Sequence, residues 1–203
     1  NSLNATLALI NANNPNFEYV STVSEASQAD NSIAGEYIFK NVATGDFFNI
    51  LAVSYLEGDQ ISMAGIGAYQ NQSLIFTTGD NVKYMPIGTY NYQGTAVNNF
   101  ISSSGTQTNE NGNFSMNINF ASGTTSLLAE TATLSYSDNS IILDRNTGDL
   151  RGTNGSFDYG PAKITGTNFY GQVNGDSANF VSGMSMGKSV KNNTWSSIIV
   201  GER

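Results

Sequence analysis

Residues 85–123 read MPIGTYNYQGTAVNNFISSSGTQTNENGNFSMNINFASG, and the alternation near the end of this stretch decides the fold. Phe114, Met116, Ile118 and Phe120 are interleaved with Ser115, Asn117 and Asn119. Successive side chains on a strand point to opposite faces, so the row has one apolar and one polar side. A helix would scatter the same residues around its circumference. A first strand carrying Tyr90 and Tyr92 lies ahead of it, and the polar run AVNNFISSSGTQTNENGN between them reads as a long connection.

From here to the C-terminus the sequence breaks into short strand candidates at spacings of about ten residues, with no helical stretch between them. Eight are counted: IGTYNYQGTAV, GNFSMNINFA, SLLAETATLSYS, SIILDRN, DLRGTNGSFDYG with its own turn, KITGTNFYGQVNG, SANFVSGMSMGK and TWSSIIVGER. Asn111-Gly112, Asn154-Gly155 and Asn174-Gly175 are pairs of the kind a two-residue type I′ hairpin requires, because both central residues take positive φ. Closure removes the edges of so polar a set of strands. The expectation for residues 85–203 is therefore an eight-stranded antiparallel soluble β-barrel.

Residues 33–84 hold four further candidates, GEYIFKNVA, DFFNILAVSYLEG, ISMAGIGAYQ and SLIFTTGD, separated by breaks at Thr44-Gly45, Glu57-Gly58-Asp59 and Asn71-Gln72. They predict a small antiparallel sheet. Residues 1–32 are expected to form an N-terminal tail or short helix. Leu3, Leu7 and Ile10 stand at helical spacing ahead of Pro15, and Ser21 to Ser32 has the small polar composition of a solvated tether. The fold class is all-β throughout.

Composition removes several classes of function. The chain of 203 residues contains neither Cys nor His, which excludes disulfides, thiol nucleophiles and the commonest ligands of zinc, copper and haem. A formal charge of −8, with eight scattered basic residues, repels phosphate backbones, so no nucleic-acid partner is expected. No apolar run approaches the roughly 18 residues of a membrane helix, and the first residues lack the basic and apolar regions of a signal peptide. Alternation alone does not say whether the apolar face points into a barrel or out to lipid. Glycine-interrupted strands and Arg203 at the end favour the former.

Several pieces, in chain order, carry a resemblance. They are MPIGTYNYQGTA at residues 85–96, the NFASGT element from Asn119 to Thr124, ITGTNFYGQVNGDSANFVSGMSMG on the closing strands, and the terminal IIVGER. Over residues 85–203 the chain is similar to the β-barrel domain of the transferrin-binding protein B family, surface lipoproteins and secreted proteins of Gram-negative bacteria. It departs from the family's pattern at Ile199, where an aromatic is usual, and after Phe169-Tyr170-Gly171, where Gln172 stands in place of Pro. The resemblance implies a handle sheet ahead of the barrel and no catalysis. It also implies a cell-surface or secreted location, export by an outer-membrane translocator, and a membrane link only through a lipid on a Cys upstream of Asn1. The implied partner is a host protein or small nutrient ligand, bound through handle and barrel loops.

Individual residues add little chemistry. No helix follows any glycine cluster in the way a phosphate loop requires, and small residues suit a narrow barrel whose large neighbours fill the interior. Asp144 to Asp149 reads as a hairpin turn rather than a calcium loop, because Gly148 and Asp149 stand in the wrong order for one. Asp144 and Asp158 are a carboxylate pair only if the fold brings them together. Phe100 and Ile101, an apolar pair inside the polar connection, are the candidate partner-binding residues, and Trp195 is expected in the core or at the barrel lid. No cofactor and no metal site is expected, since no nucleophile and base pair or metal-ligand constellation can be assembled. Two other readings remain open: a carrier holding a small molecule inside the barrel, and a structural module of a surface assembly.

Overall fold

The computed structural model describes residues 16–29, 32–69, 72–160 and 162–203. The helix expected across Leu3, Leu7 and Ile10 lies outside the described residues. Two antiparallel units follow one another along the chain. The first, the handle, is a five-stranded meander of β1 (Phe17–Ala29), β2 (Ser32–Asn41), β3 (Phe47–Glu57), β4 (Gln60–Tyr69) and β5 (Gln72–Gly79). The second is a closed eight-stranded barrel of β6 (Thr89–Ile101), β7 (Gln107–Asn119), β8 (Thr124–Glu130), β9 (Leu134–Leu143), β10 (Asp149–Tyr159), β11 (Ala162–Asn174), β12 (Phe180–Lys188) and β13 (Thr194–Glu202). Each barrel strand pairs with its neighbour in sequence, and β13 closes the cylinder on β6.

The apolar row of β7 points inward. Phe114, Met116, Ile118 and Phe120 join Tyr92, Leu127, Tyr136, Phe157, Phe169 and Trp195 in one buried cluster. The intervening polar residues form the outer wall, where Asn91 Nδ2 donates to Ser115 Oγ at 2.8 Å and Asn117 Oδ1 at 2.9 Å. Rings run along the interior, with Phe100 stacked on Tyr159 at 4.2 Å, Phe157 on Trp195 at 5.2 Å and Tyr136 on Phe169 at 6.3 Å between centroids. This packing corrects the carrier reading, because side chains occupy the space an enclosed ligand would need.

A second cluster glues the handle to the barrel: Ala34, Val53, Tyr55, Ala64 and Ile66 on one side meet Val97, Phe180, Met184, Ile198 and Val200 on the other. Strands β12 and β13 are thus buried on both faces. Tyr37, Phe39, Phe48, Ile50 and Met63 form a third cluster within the handle, against which Phe17 and Tyr19 of β1 pack.

Four sequence expectations need correction. SLLAETATLSYS, read as one strand, is broken at residues 131–133 by the turn that separates β8 from β9, and SIILDRN starts inside β9 rather than forming a strand of its own. The segment read as a tether is largely strand β1: Phe17 meets Phe48 edge-on at 4.6 Å and Tyr19 meets Phe39 at 6.1 Å, and these anchors outweigh the small polar composition that follows. Register shifts in its pairing with β2 accommodate the irregular part. Most of the run read as a loop between the first two barrel strands is strand as well. β6 and β7 pair without interruption from Thr89↔Asn119 to Ile101↔Gln107, and the turn is only residues 102–106, with Gly105 at φ +89°. Asn111-Gly112 and Asn154-Gly155 are not hairpin turns but lie inside β7 and β10, whereas Gly175, at φ +87°, does begin a turn.

Candidate functional site

Adjacent strand residues face opposite ways, and this separates the predicted pair. Phe100 turns into the barrel mouth, where it stacks on Tyr159 and lies parallel to Phe157 at 6.4 Å. Ile101 turns outward onto a groove of about 300 Å³ between handle and barrel. The groove's apolar lining comes from Leu51 of β3 and Ile66 of β4 on the handle and from Ile101 and Met186 on the barrel. Its rim is polar and internally paired: Asn49 Nδ2 donates to Glu36 Oε1 at 3.0 Å and Gln107 Nε2 to Asn99 Oδ1 at 3.4 Å. The groove thus has an apolar floor and a hydrogen-bonded rim. Gly67 contributes by its smallness, since a Cβ there would come within 2.9 Å of the Asn49 carbonyl oxygen.

A larger depression of about 600 Å³ lies elsewhere along the junction, where Tyr55 of the handle faces the outer wall of β6 to β8. Gln93, Asn113, Ser115, Glu130 and Glu202 give it an acidic, amide-rich lining. Glu202 also lies beside Glu57. Its hydrogen bond, then its charge and then burial hold the Glu57 carboxyl above the ordinary carboxylate range.

The barrel end that carries Ile101 is held firmly. Glu110 accepts from Thr131 Oγ1 at 2.7 Å, from Thr133 N at 2.9 Å and Oγ1 at 2.5 Å, and from Leu134 N at 3.1 Å. Burial raises the pKa of Glu110, but the hydrogen bonds of Thr133, Thr131 and Leu134 together bring it below the ordinary value. Asn98 Nδ2 donates to the Ala129 carbonyl at 3.2 Å, tying the same turn to β6. These polar residues sit in the run read as loop because they fasten the β8–β9 turn. The carboxylates of Asp144 and Asp158 are not brought together. They flank opposite ends of β10, roughly 30 Å apart at strand rise. Asp144 to Asp149 is the β9–β10 hairpin, in which Asp144 Oδ1 accepts from Asn146 N at 2.9 Å.

Sequence reasoning missed Leu51, Ile66 and Met186. A signal did exist in Ile198-Ile199-Val200, a continuous apolar run that marks a strand covered on both faces and hence a barrel wall with something docked on it.

The chain is thus a handle sheet docked on an up-and-down barrel whose interior is filled by side chains. Solved structures that share this architecture include those of transferrin-binding protein B, and the chain has their β-barrel fold. A doubly substituted transferrin-binding protein B from Haemophilus parasuis Hp5 matches 87% of this chain and 38% of its own, at 12% identity and a TM-score of 0.58. The isotype 1 protein from serogroup B Neisseria meningitidis matches 89% of this chain and 36% of its own, at 13% identity and a TM-score of 0.54. The intact Ap-TbpB structure with N and C lobes matches 83% and 38%, at 14% identity and 0.54. The chain therefore spans under two-fifths of the length of these proteins, and at such identities the likeness is one of fold. No model of a known protein family matches the chain, and no curated protein matches it in sequence.

Proposed function

We propose that this chain is a non-enzymatic surface or secreted binding protein of a Gram-negative bacterium, which recognises a host protein through its handle and the adjoining barrel loops. The observation that carries the reading is the groove at the handle–barrel junction, where Leu51, Ile66, Ile101 and Met186 offer apolar area beside the β6–β7 hairpin. In this reading Ile101 contacts the partner directly and Phe100 sets its position from inside the mouth. A cell-surface or secreted location, a lipid anchor upstream and an outer-membrane translocator belong to the same proposal, supported by the fold shared with the transferrin-binding proteins.

The test is retention from host serum and mucosal extract on immobilised protein, with purified transferrin as one arm. The expected result is a retained host protein that is lost with Ile101→Glu and with Met186→Gln. Retention of nothing, or retention indifferent to both substitutions, refutes the reading.

A further inference from the structure

We propose a separate binding site, at the barrel end opposite Ile101, for a small hydroxylated molecule carrying one oxyanion, either a carboxylate or a phosphate. The site is a cleft of about 300 Å³ where the segment entering the barrel, the β9–β10 turn and the end of β11 meet. Two of the chain's eight basic residues, Lys83 and Arg145, face this one cleft, although the protein as a whole carries a net charge of −8. No carboxylate is among the residues that line it. Half of the remaining lining residues, Asn81, Asn146, Gln172 and Asn174, carry side-chain amides, which serve hydroxyl groups as both donors and acceptors, and the others are Thr147 and the apolar Val82, Met85 and Val173.

The cleft is built rather than incidental. Lys83 N and Tyr84 N donate to the Asp176 carbonyl at 2.9 and 2.8 Å, Gly175 N to the Asp80 carbonyl at 2.9 Å, and Val173 N to the Gly148 carbonyl at 2.9 Å. Those main-chain bonds lock the contributing segments before any ligand arrives, which lowers the ordering cost of binding. Arg145 is half-buried. Its Nη1 donates to the Phe120 carbonyl at 2.7 Å, and among the described residues its guanidinium makes no ion pair, so donors of its planar fork remain for an oxyanion. Lys83 is held at the rim by Asp176 at 3.4 Å, a solvent-exposed pair that an incoming anion can displace at little cost. Asn174, only 2% exposed, is anchored by its side-chain carbonyl oxygen, which accepts from the Ser62 hydroxyl at 2.8 Å. Fixed cationic donors surrounded by amides fit an acidic sugar or sugar phosphate better than an apolar ligand or a bare ion.

The experiment is titration of the whole chain with glucuronate, glucose 6-phosphate, inorganic phosphate and glucose, followed by calorimetry and by amide and side-chain NMR shifts. The expected result is saturable binding of glucuronate or glucose 6-phosphate, with shifts confined to the surroundings of Lys83, Arg145, Asn146 and Gln172. Glucose and phosphate alone should bind at least about tenfold more weakly, and Arg145→Gln and Lys83→Gln should each weaken the acid by about tenfold, the order of one charge-assisted contact. Which acid binds distinguishes carboxylate from phosphate as the anionic group. Lys83→Gln removes only an exposed rim pair, so it reads binding even if Arg145→Gln loosens its turn. The proposal is overturned if neither acid saturates, if phosphate binds as tightly as glucose 6-phosphate, or if Lys83→Gln leaves affinity unchanged.

Discussion

Gly183 on β12 and the ring of Phe169 on β11 make a sharp test of how the barrel interior is filled. A Cβ built on Gly183 would lie 2.3 Å from Phe169 Cζ and 3.0 Å from both Cε atoms, where ordinary contact begins near 3.4 Å. The ring would have to retreat by about an ångström, yet it is 1% exposed and stacked at 6.3 Å on Tyr136, so close packing opposes the movement. Gly183→Ala should therefore cost about 1–3 kcal/mol by overpacking, a fall in Tm of roughly 2–12 °C for a chain of this length. Gly183 is not among the residues with positive φ, so its backbone suits alanine. In a Phe169→Leu background, where the ring is gone, the same substitution should turn neutral or stabilise by about 0.4–1 kcal/mol, through the lost freedom of the unfolded chain. Urea unfolding of the wild type, both single variants and the double variant completes the cycle. An equal cost of Gly183→Ala in both backgrounds would refute the idea that the glycine exists to admit the ring.

Three further outcomes follow from contacts already described. Trp195→Ala should remove about 3–5 kcal/mol by emptying a stacked interior position, whereas Trp195→Phe should cost much less because the indole N–H has no hydrogen-bond partner among the described residues; thermal unfolding compares them. Glu110→Gln should lower Tm at pH 7. Because the folded pKa of Glu110 is depressed, its stabilisation is present above the unfolded value and lost as pH falls through the folded one, so the difference should shrink and disappear in acid below the ordinary carboxylate range. Glu57→Gln should act in the opposite sense: the pKa is raised in the fold, stability is lost as pH rises through it, and the variant should be slightly more stable than wild type at pH 7 and low salt but not in acid.

Much of the architecture was legible because period-two alternation survives wherever one face of a strand is buried and the other is wet. Phe114 to Phe120 announced the inward row of β7, and strands of the expected number were found in residues 33–84 and 85–203. What escaped detection did so for physical reasons. Strand β1 is held by two aromatic anchors at its start and by backbone pairing thereafter, and backbone pairing leaves no trace in composition. Asn98 and Glu110 looked like loop residues because their polarity serves a turn on a neighbouring strand, a relation that only the folded chain creates. Asn154-Gly155 imitated a turn because Gly155 must leave room for the Tyr136 and Thr167 hydroxyls. The candidate pair was located but not divided: the pleat sends Phe100 inward and Ile101 to the groove, and the handle residues opposite Ile101 lie some fifty residues away or less in sequence with no local pattern linking them.

The meeting of β6 with β13 has a consequence for how the protein is assembled. Every other barrel pairing joins neighbours along the chain, but Gly94↔Gly201 spans 201 − 94 = 107 residues, a loop closure worth about 4 kcal/mol in chain entropy. Until Thr194–Glu202 arrives, the cylinder is an open seven-stranded ribbon that lacks Trp195 and exposes its inner surface. The same adjacency bears on permutation: linking the end of β13 to the segment ahead of β1 and cutting at the turn of residues 102–106 would leave the handle between β13 and β6 and make β6 with β7 the long-range closure. Such a permutant would reveal whether vectorial delivery, first strand to last, governs when the barrel shuts.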